Sequence, residues 1–284
     1  MIEPFRREQQ LLDDIAAASN SPDQFHVWWL GQSGFLVKWQ DHHLLFDPYL
    51  SDSLTKKYAE TDKPHVRMTE RVIDPAQLTM LDVVTSSHNH TDHLDAETLL
   101  PLASANADLK LVIPEANIDF AVNRLGEAVI EMIGLDEGTS AAAGPFEFHG
   151  IAAAHNEIER DDQGRCKFIG FVVKFGDFAI YHSGDTLWHR DLVSQIAPFG
   201  VDLAIVPING NKLERRVAGN LDGLEAAAVA KGVGAGMAIP HHFEMFEFNT
   251  ADPAEFVSSC ERFHQPFTVL KAGERWTANG ENFA

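Results

Sequence analysis

The sequence predicts an α/β fold of the α+β kind, one compact domain in which two β-sheets are covered by helices. Three observations carry this prediction. The N-terminal part is dense in short apolar runs, the rest mixes such runs with helical patterns, and no low-complexity linker or short repeat divides the chain. With 284 residues, 45% hydrophobic and 23% charged, the whole of 1–284 fits a single soluble globular domain.

The elements follow in order. REQQLLDDIAAAS predicts a helix within about residues 1–20, closed by the turn SPD. FHVWWL, GFLVKW and HLLFDPYL are short strands punctuated by Gly31, Gly34 and Gln40-Asp41, a spacing that suits antiparallel hairpins. Residues 51–76 lack periodicity and predict a long excursion of the kind that forms an active-site rim. LDVVTSS is apolar, β-branched and bounded by polar residues, so it predicts a buried strand, and DAETLLPLAS predicts a helix beyond it. LKLVIP is a strand, EANIDFAVNRLG a helix ended by Gly126, and AVIEMI and FEFHGIAAA are strands. KFIGFVVKFGDFAIYHSGDT predicts two strands joined by a Gly-Asp turn. LWHRDLVSQIAPFG is a helix, VDLAIVPI a strand, LDGLEAAAVAKG a helix and GMAIPHH a strand ending on histidines. DPAEFVSSCERF is a helix with proline near its start, and FTVLKAG and ERWTA are closing strands.

Charge excludes some functions. With 22 basic and 42 acidic residues, the formal net charge of -20 opposes binding to nucleic acid or to an anionic membrane surface. No apolar run approaches the ~20 residues of a membrane helix, and MIEPFRREQQLLDDI has no apolar core of a secretory signal. Cys166 and Cys260 form no CxxC pair and no disulfide framework, and no neighbouring pattern activates either thiol. A reducing cytoplasm is the expected location.

The chemistry lies in HNHTDH. His88, His90, Asp92 and His93 fall within six residues, where a strand ends and a helix begins. Imidazoles and a carboxylate suit Zn, Mn or Fe, and a loop lets residues two apart converge on one point. Three later strands each end on a metal-type side chain: FHGIAAA delivers His155, DFAIYHSG delivers Asp185, and AGMAIP delivers His241 or His242. Taken singly, His155 reads as a hydrogen-bonded structural histidine and Asp185 as a turn residue or helix cap. Ligands come as sets, and four strand ends of one kind favour a metal site.

HNHTDH, His155, HSGDT and PHH, in this order and spacing, resemble the metallo-β-lactamase superfamily of binuclear metal hydrolases. The phrases WWLG, VIDPAQLTMLDVVTSSHNHTDH, YHSGDT and IPHH with a later ADP resemble the branch of L-ascorbate-6-phosphate lactonase. The resemblance implies a four-layer αββα sandwich and two divalent metal ions, Zn or Mn. It implies His88, His90 and His155 as ligands of the first ion, Asp92, His93 and His242 (with His241 as runner-up) as ligands of the second, and Asp185 as the bridge. The expected reaction is hydrolysis by a water shared between the ions, with Asp92 and Asp185 in catalytic roles, on a lactone, in particular a sugar-phosphate lactone. Phosphodiester cleavage is the alternative, because the same ions serve either electrophile. Di-iron redox chemistry and a non-enzymatic binding role are weaker alternatives, since the chain keeps the full histidine set.

The expected partner is a small, anionic molecule, and homo-oligomerisation is left open. Arg215 and Arg216 in NGNKLERRVAGN are candidates to hold a phosphate or carboxylate, although a solvated basic pair is as good an account. Lys56, Lys57 and Arg67 are weaker candidates of the same kind. Asn156 and Glu244, beside expected ligands, are candidates to orient imidazoles or line the substrate site. His26, His42, His43, His65, His149, His189 and His264 are assigned no function.

Overall fold

Successive residues of a strand face opposite sides of a sheet, and here both sides are covered. Strand β1 (Phe25–Gly31) is buried along its whole length. Trp28 faces helix α1 (Glu8–Ala17) and donates its indole N–H to Asp14 at 2.8 Å. Trp29 faces the other way and stacks on Phe243 with centroids 4.4 Å apart. The ammonium of Lys38 donates to the carbonyls of Ile15 (3.1 Å) and Ala18 (2.8 Å), where the C-terminal end of α1 carries partial negative charge.

This is a computed structural model, and it describes residues 1–126 and 130–278. β1 pairs antiparallel with β2 (Gly34–Trp39), and β2 with β3 (His42–Phe46). β4 (Val83–Thr85), β5 (Lys110–Pro114) and β6 (Glu131–Leu135) add in parallel, and β13 (Arg275–Ala278) closes the opposite edge against β1. The order of this sheet is β13-β1-β2-β3-β4-β5-β6. The second sheet joins β7 (Ser140–Ala143), β8 (Phe146–Ala152), β9 (Ile169–Phe175), β10 (Phe178–His182), β11 (Leu203–Pro207) and β12 (Met237–His241) in the order β12-β11-β10-β9-β8-β7. The sheets pack face to face: Phe25 meets Phe175 edge-on at 5.4 Å, and Phe46 stacks on His182 at 4.7 Å. Helix α1 lies outside the first sheet, with α3 (Ala96–Ala105) and α4 (Ile118–Leu125) on the same half. α5 (Leu192–Ile196), α6 (Gly223–Val233) and α7 (Ala254–Phe263) cover the second. The result is the αββα sandwich that the resemblance implied.

Several elements differ from expectation. The excursion at 51–76 contains a short helix, α2 (Ser53–Tyr58). The helix expected from LWHRDLVSQIAPFG shrinks to α5 and a 3-10 turn, Ala197–Phe199. Its first residues are drawn out because Leu187 N–H donates to Ala154 O at 2.8 Å and the His189 ring bonds Ala152 O at 3.0 Å. FTVLKAG forms only a bridge between Phe267 and Ala238. There, Ala238 N–H donates to Pro266 O and Thr268 N–H to Ala238 O, and the next parallel ladder bond would need an N–H that Pro240 lacks. β7 was not anticipated, because a Ser-Ala-Ala-Ala run has low strand preference and is held by its pairing with β8. Of AVIEMI, Ala128 and Val129 lie outside the described residues.

Burial has a pH consequence at His43, whose pKa is pushed down to about 4. In the unfolded chain the ring titrates near 6.5, so the unfolded state binds the extra proton between those values. Stability present above pH ~6.5 is therefore lost as the pH falls towards 4. His43→Leu should remove about 2 kcal/mol of the loss between pH 7 and pH 5, read from denaturant unfolding at both pH values. An unchanged difference would mean that His43 is not a source of the acid sensitivity.

Candidate metal centre

Strand direction explains why distant residues meet. β8 and β9 are antiparallel, as are β9 and β10, so β8 and β10 run the same way, and β11 and β12 run parallel to β10. The C-terminal ends of β8, β10 and β12 therefore share one edge, delivering His155, Asp185 and His242. In the first sheet β3 and β4 are parallel, so Asp47 and the HNHTDH turn emerge together. That turn is fastened by the N–H groups of His93 and Leu94, which both donate to His90 O. Gly184 has φ +56°, and a Cβ there would stand 2.5 Å from the Ser87 Cβ, so only glycine lets the turn carrying Asp185 press this close to the first sheet.

Two groups of side chains that could hold a metal ion result. His88, His90 and His155 form one, with ring centroids 4.6 to 5.3 Å apart, and Asp92, His93, Asp185 and His242 form the other. Asp185 lies between them. Its Oδ1 is 3.4 Å from His93 Nε2, and its Oδ2 is 3.2 Å from His242 Nε2 and 3.7 Å from His155 Nε2.

The outward nitrogens of several rings are already held. His88 Nδ1 meets Ser87 Oγ at 3.0 Å, His155 Nδ1 meets Gly219 O at 3.0 Å, and His93 Nδ1 meets Asp47 Oδ2 at 2.7 Å. His88 Nε2, His93 Nε2 and Asp185 Oδ1 are buried without any hydrogen-bond partner. Buried polar atoms normally have partners, so orphans clustered at one point fit a cation. The charge balance agrees. Burial opposes a proton on His93, yet Asp185, Asp92 and Asp47 outweigh it and push the ring well above its ordinary pKa. His88 and His155, by contrast, are held neutral by burial, the form that offers a lone pair.

His241 is separated from its neighbour. It is fully buried, with Nδ1 3.1 Å from Ser33 Oγ, and its ring stacks on His182. His242, at φ +64°, turns to the coordinating group.

Two contributors were missed by the sequence reading. Asp47 is fully buried; it accepts from Ser87 N–H and from Thr85 Oγ (2.6 Å to Oδ1) as well as holding His93. Its signal was present, because HLLFDPYL is another apolar strand ending on a carboxylate. Gln32 donates from Nε2 to Asp92 Oδ2 at 2.9 Å and lies 3.0 Å from His242 Nε2. Gln32, Asp47, Asn156, His242 and Glu244 all have positive φ, so backbone strain gathers around this edge.

The site opens into a cleft of about 510 Å³, lined by His90, Asp92, His155, Asp185 and His242 at its base and by Leu54, Tyr58, Phe120, Phe246 and Phe248 above. Of the expected substrate contacts, Lys57 lines this cleft, and Arg215, Arg216, Asn156 and Glu244 do not. Arg215 donates to Asn209 O and to Thr250 O (2.6 Å), Arg216 pairs with Asp62 at 2.6 Å, and neither arginine lines the cleft. Both are spent on fastening loops to each other. Lys56 pairs with Glu97 at 2.7 Å, and Arg67 with Asp52 at 2.7 Å. Asn156 Oδ1 accepts from Gly219 N–H at 3.1 Å, which steadies the carbonyl that holds His155. Glu244 does not line the cleft; its backbone N–H is held by Thr250 Oγ, and its carboxyl pKa is raised by burial. The cations lining the cleft are Lys57 and Arg124.

Residues 42–243 match the β-lactamase superfamily domain. A UPF0173 metal-dependent hydrolase of Opitutus terrae is 29% identical over 251 residues, 87% of this chain and 96% of the relative. Another from Pelotomaculum thermopropionicum is 30% identical over 242 residues, 83% and 91% of the two chains. Among solved structures, the metallo hydrolase Igni18 of Ignicoccus hospitalis has a TM-score of 0.63 at 22% identity, covering 90% of this chain and 99% of its own.

Proposed function

The chain belongs to the metallo-β-lactamase superfamily and, within it, to the UPF0173 metal-dependent hydrolases, and from that premise we propose that it hydrolyses a small, anionic, ester-like molecule at two divalent cations, Zn or Mn. A lactone, in particular a sugar-phosphate lactone of the kind opened by the L-ascorbate-6-phosphate lactonase branch, is the proposed substrate. His88, His90 and His155 would hold one ion and Asp92, His93 and His242 the other, with Asp185 placed between the two groups. The whole chain acts as one domain in a reducing cytoplasm. Free, buried Cys166 and Cys260 are in keeping with that location, and no described helix is long and apolar enough to cross a membrane.

When bound, such ions supply Lewis acidity and bring the pKa of a water towards neutrality. The protein's part is positional. Asp185 offsets cationic charge and sets the spacing of the two groups. Asp92 is the carboxylate of the set most open to the cleft; Gln32 fixes its Oδ2, leaving Oδ1 to orient the attacking water and carry its proton. Asp47 and Ser87 keep the coordinating nitrogens of His93 and His88 turned inward. Phe120, Phe246 and Phe248 keep the mouth apolar and limit bulk water.

The observation that carries this reading is that His88 Nε2, His93 Nε2 and Asp185 Oδ1, all within the two groups of possible ligands, are buried without a hydrogen-bond partner. A panel of simple lactones, phosphorylated sugar lactones and a generic phosphodiester, assayed with Zn- and Mn-loaded protein, tests it. Lactone turnover should exceed diester cleavage by about tenfold or more in kcat/KM. Strong diester cleavage without lactone turnover would replace the lactonase reading with the phosphodiesterase one.

A further inference from the structure

We propose that Lys57 and Arg124, together with the side chains of Asn89 and Thr91, form an oxyanion subsite that selects substrates bearing a phosphate or carboxylate group; this rests on the cleft being the substrate site of the hydrolase. All four residues line the cleft that contains His90, Asp92 and Asp185. Among the described residues, Lys57 makes no ion pair and no hydrogen bond; its ammonium only lies over the Tyr58 ring at 5.1 Å. Arg124 is half-buried on the Phe120 ring at 4.5 Å. Its Nη1 donates to Asn89 O (3.0 Å) and Leu94 O (2.8 Å), which fixes the guanidinium plane, while Nε and Nη2 have no described partner. The side chains of Asn89 and Thr91 are likewise without hydrogen bonds among the described residues. Lys57 Nζ, Arg124 Nε and Nη2 and the side chains of Asn89 and Thr91, none with a described acceptor, therefore line one cleft.

Charge strengthens the case. The chain as a whole carries -20, yet the cleft lining holds two carboxylates, Asp92 and Asp185, against two cations, Lys57 and Arg124. The lining is thus balanced before any metal is counted, and a bound divalent ion would make it positive within a strongly acidic protein. A fixed guanidinium and a mobile ammonium suit an anion: the first gives directional N–H donors, the second a compact charge on a flexible stem. Arg215 and Arg216 do not line the cleft, and bond instead to loop carbonyls and to Asp62.

The test compares the metal-loaded wild-type protein with Lys57→Met and Arg124→Lys, using two readouts. Calorimetric binding of glucose 6-phosphate and of glucose needs no turnover: wild type should bind the phosphate ester about tenfold or more tightly, and each variant should lose much of that preference. In kinetics, the ratio of kcat/KM for a phosphorylated over an uncharged sugar lactone should fall about tenfold, mainly through KM, in each variant. Equal loss on both lactones in Arg124→Lys, with an unchanged Lys57→Met, would reduce Arg124 to a brace of the HNHTDH turn and overturn the proposal. So would equal binding of glucose and its phosphate by wild type. Absence of lactone turnover alongside phosphate-selective binding lost in both variants would instead strike the lactonase reading and leave the subsite standing.

Discussion

Asp185→Asn is expected to lower turnover by about a thousandfold or more while leaving the fold intact. The substitution is nearly isosteric, and it removes the charge shared by both groups of coordinating atoms. Asp185 Oδ1 faces His93 and Oδ2 faces His242 and His155, so neither group keeps its full complement. Elemental analysis of the purified variant should show bound metal well below wild type, and circular dichroism should be unchanged. His90→Ala, which opens only the exposed corner of the histidine group, should likewise abolish turnover and reduce bound metal. Wild-type turnover in either variant would remove the metal pair from the mechanism.

Asp47→Ala is expected to be costly in a different way. Asp47 touches no cleft atom, but its loss leaves His93 Nδ1, Ser87 N–H and Thr85 Oγ without their buried acceptor. Removing one partner of such a buried network costs about 3–5 kcal/mol of stability, and loss of an outer partner weakens metal binding by about 10–100-fold. Asp47→Asn separates the two effects. Its carbonyl still accepts from Ser87 and Thr85, but its amide offers hydrogens to His93 Nδ1, where the carboxylate accepted one. Stability should then fall little, while metal affinity, measured by competition with a chelator, should still drop by about tenfold or more. Equal affinity in wild type and Asp47→Asn would make Asp47 a purely structural residue.

These two residues mark how far the sequence can be read. Asp185 was visible because it follows an apolar strand in HSGDT, a short-range pattern. Asp47 follows an apolar strand in the same way, but a lone Asp before Pro48 also reads as a turn, and nothing local links it to His93. Arg215 and Arg216 drew attention as a pair in a polar loop, whereas the structure ties them to Asn209, Thr250 and Asp62. Arg124 was hidden inside an ordinary helix pattern, and only the packing of α4 beside the HNHTDH turn brings it to the cleft. FTVLKAG failed as a strand for a reason outside itself, the missing N–H of Pro240 on its neighbour.

By itself, the sequence determined the α+β character, most of the strands and helices, and the stock of imidazoles and carboxylates at strand ends. Those follow from local rules, the two-residue alternation of strands and the preferences of turns, which act within a dozen residues. The tertiary structure decided which of those groups meet. Parallel strands put their ends on one edge, Gly184 lets the two sheets close at that edge, and a positive φ turns His242 rather than His241 towards Asp185. Such choices depend on register and on atoms many tens of residues apart in the chain, and no local pattern carries that information.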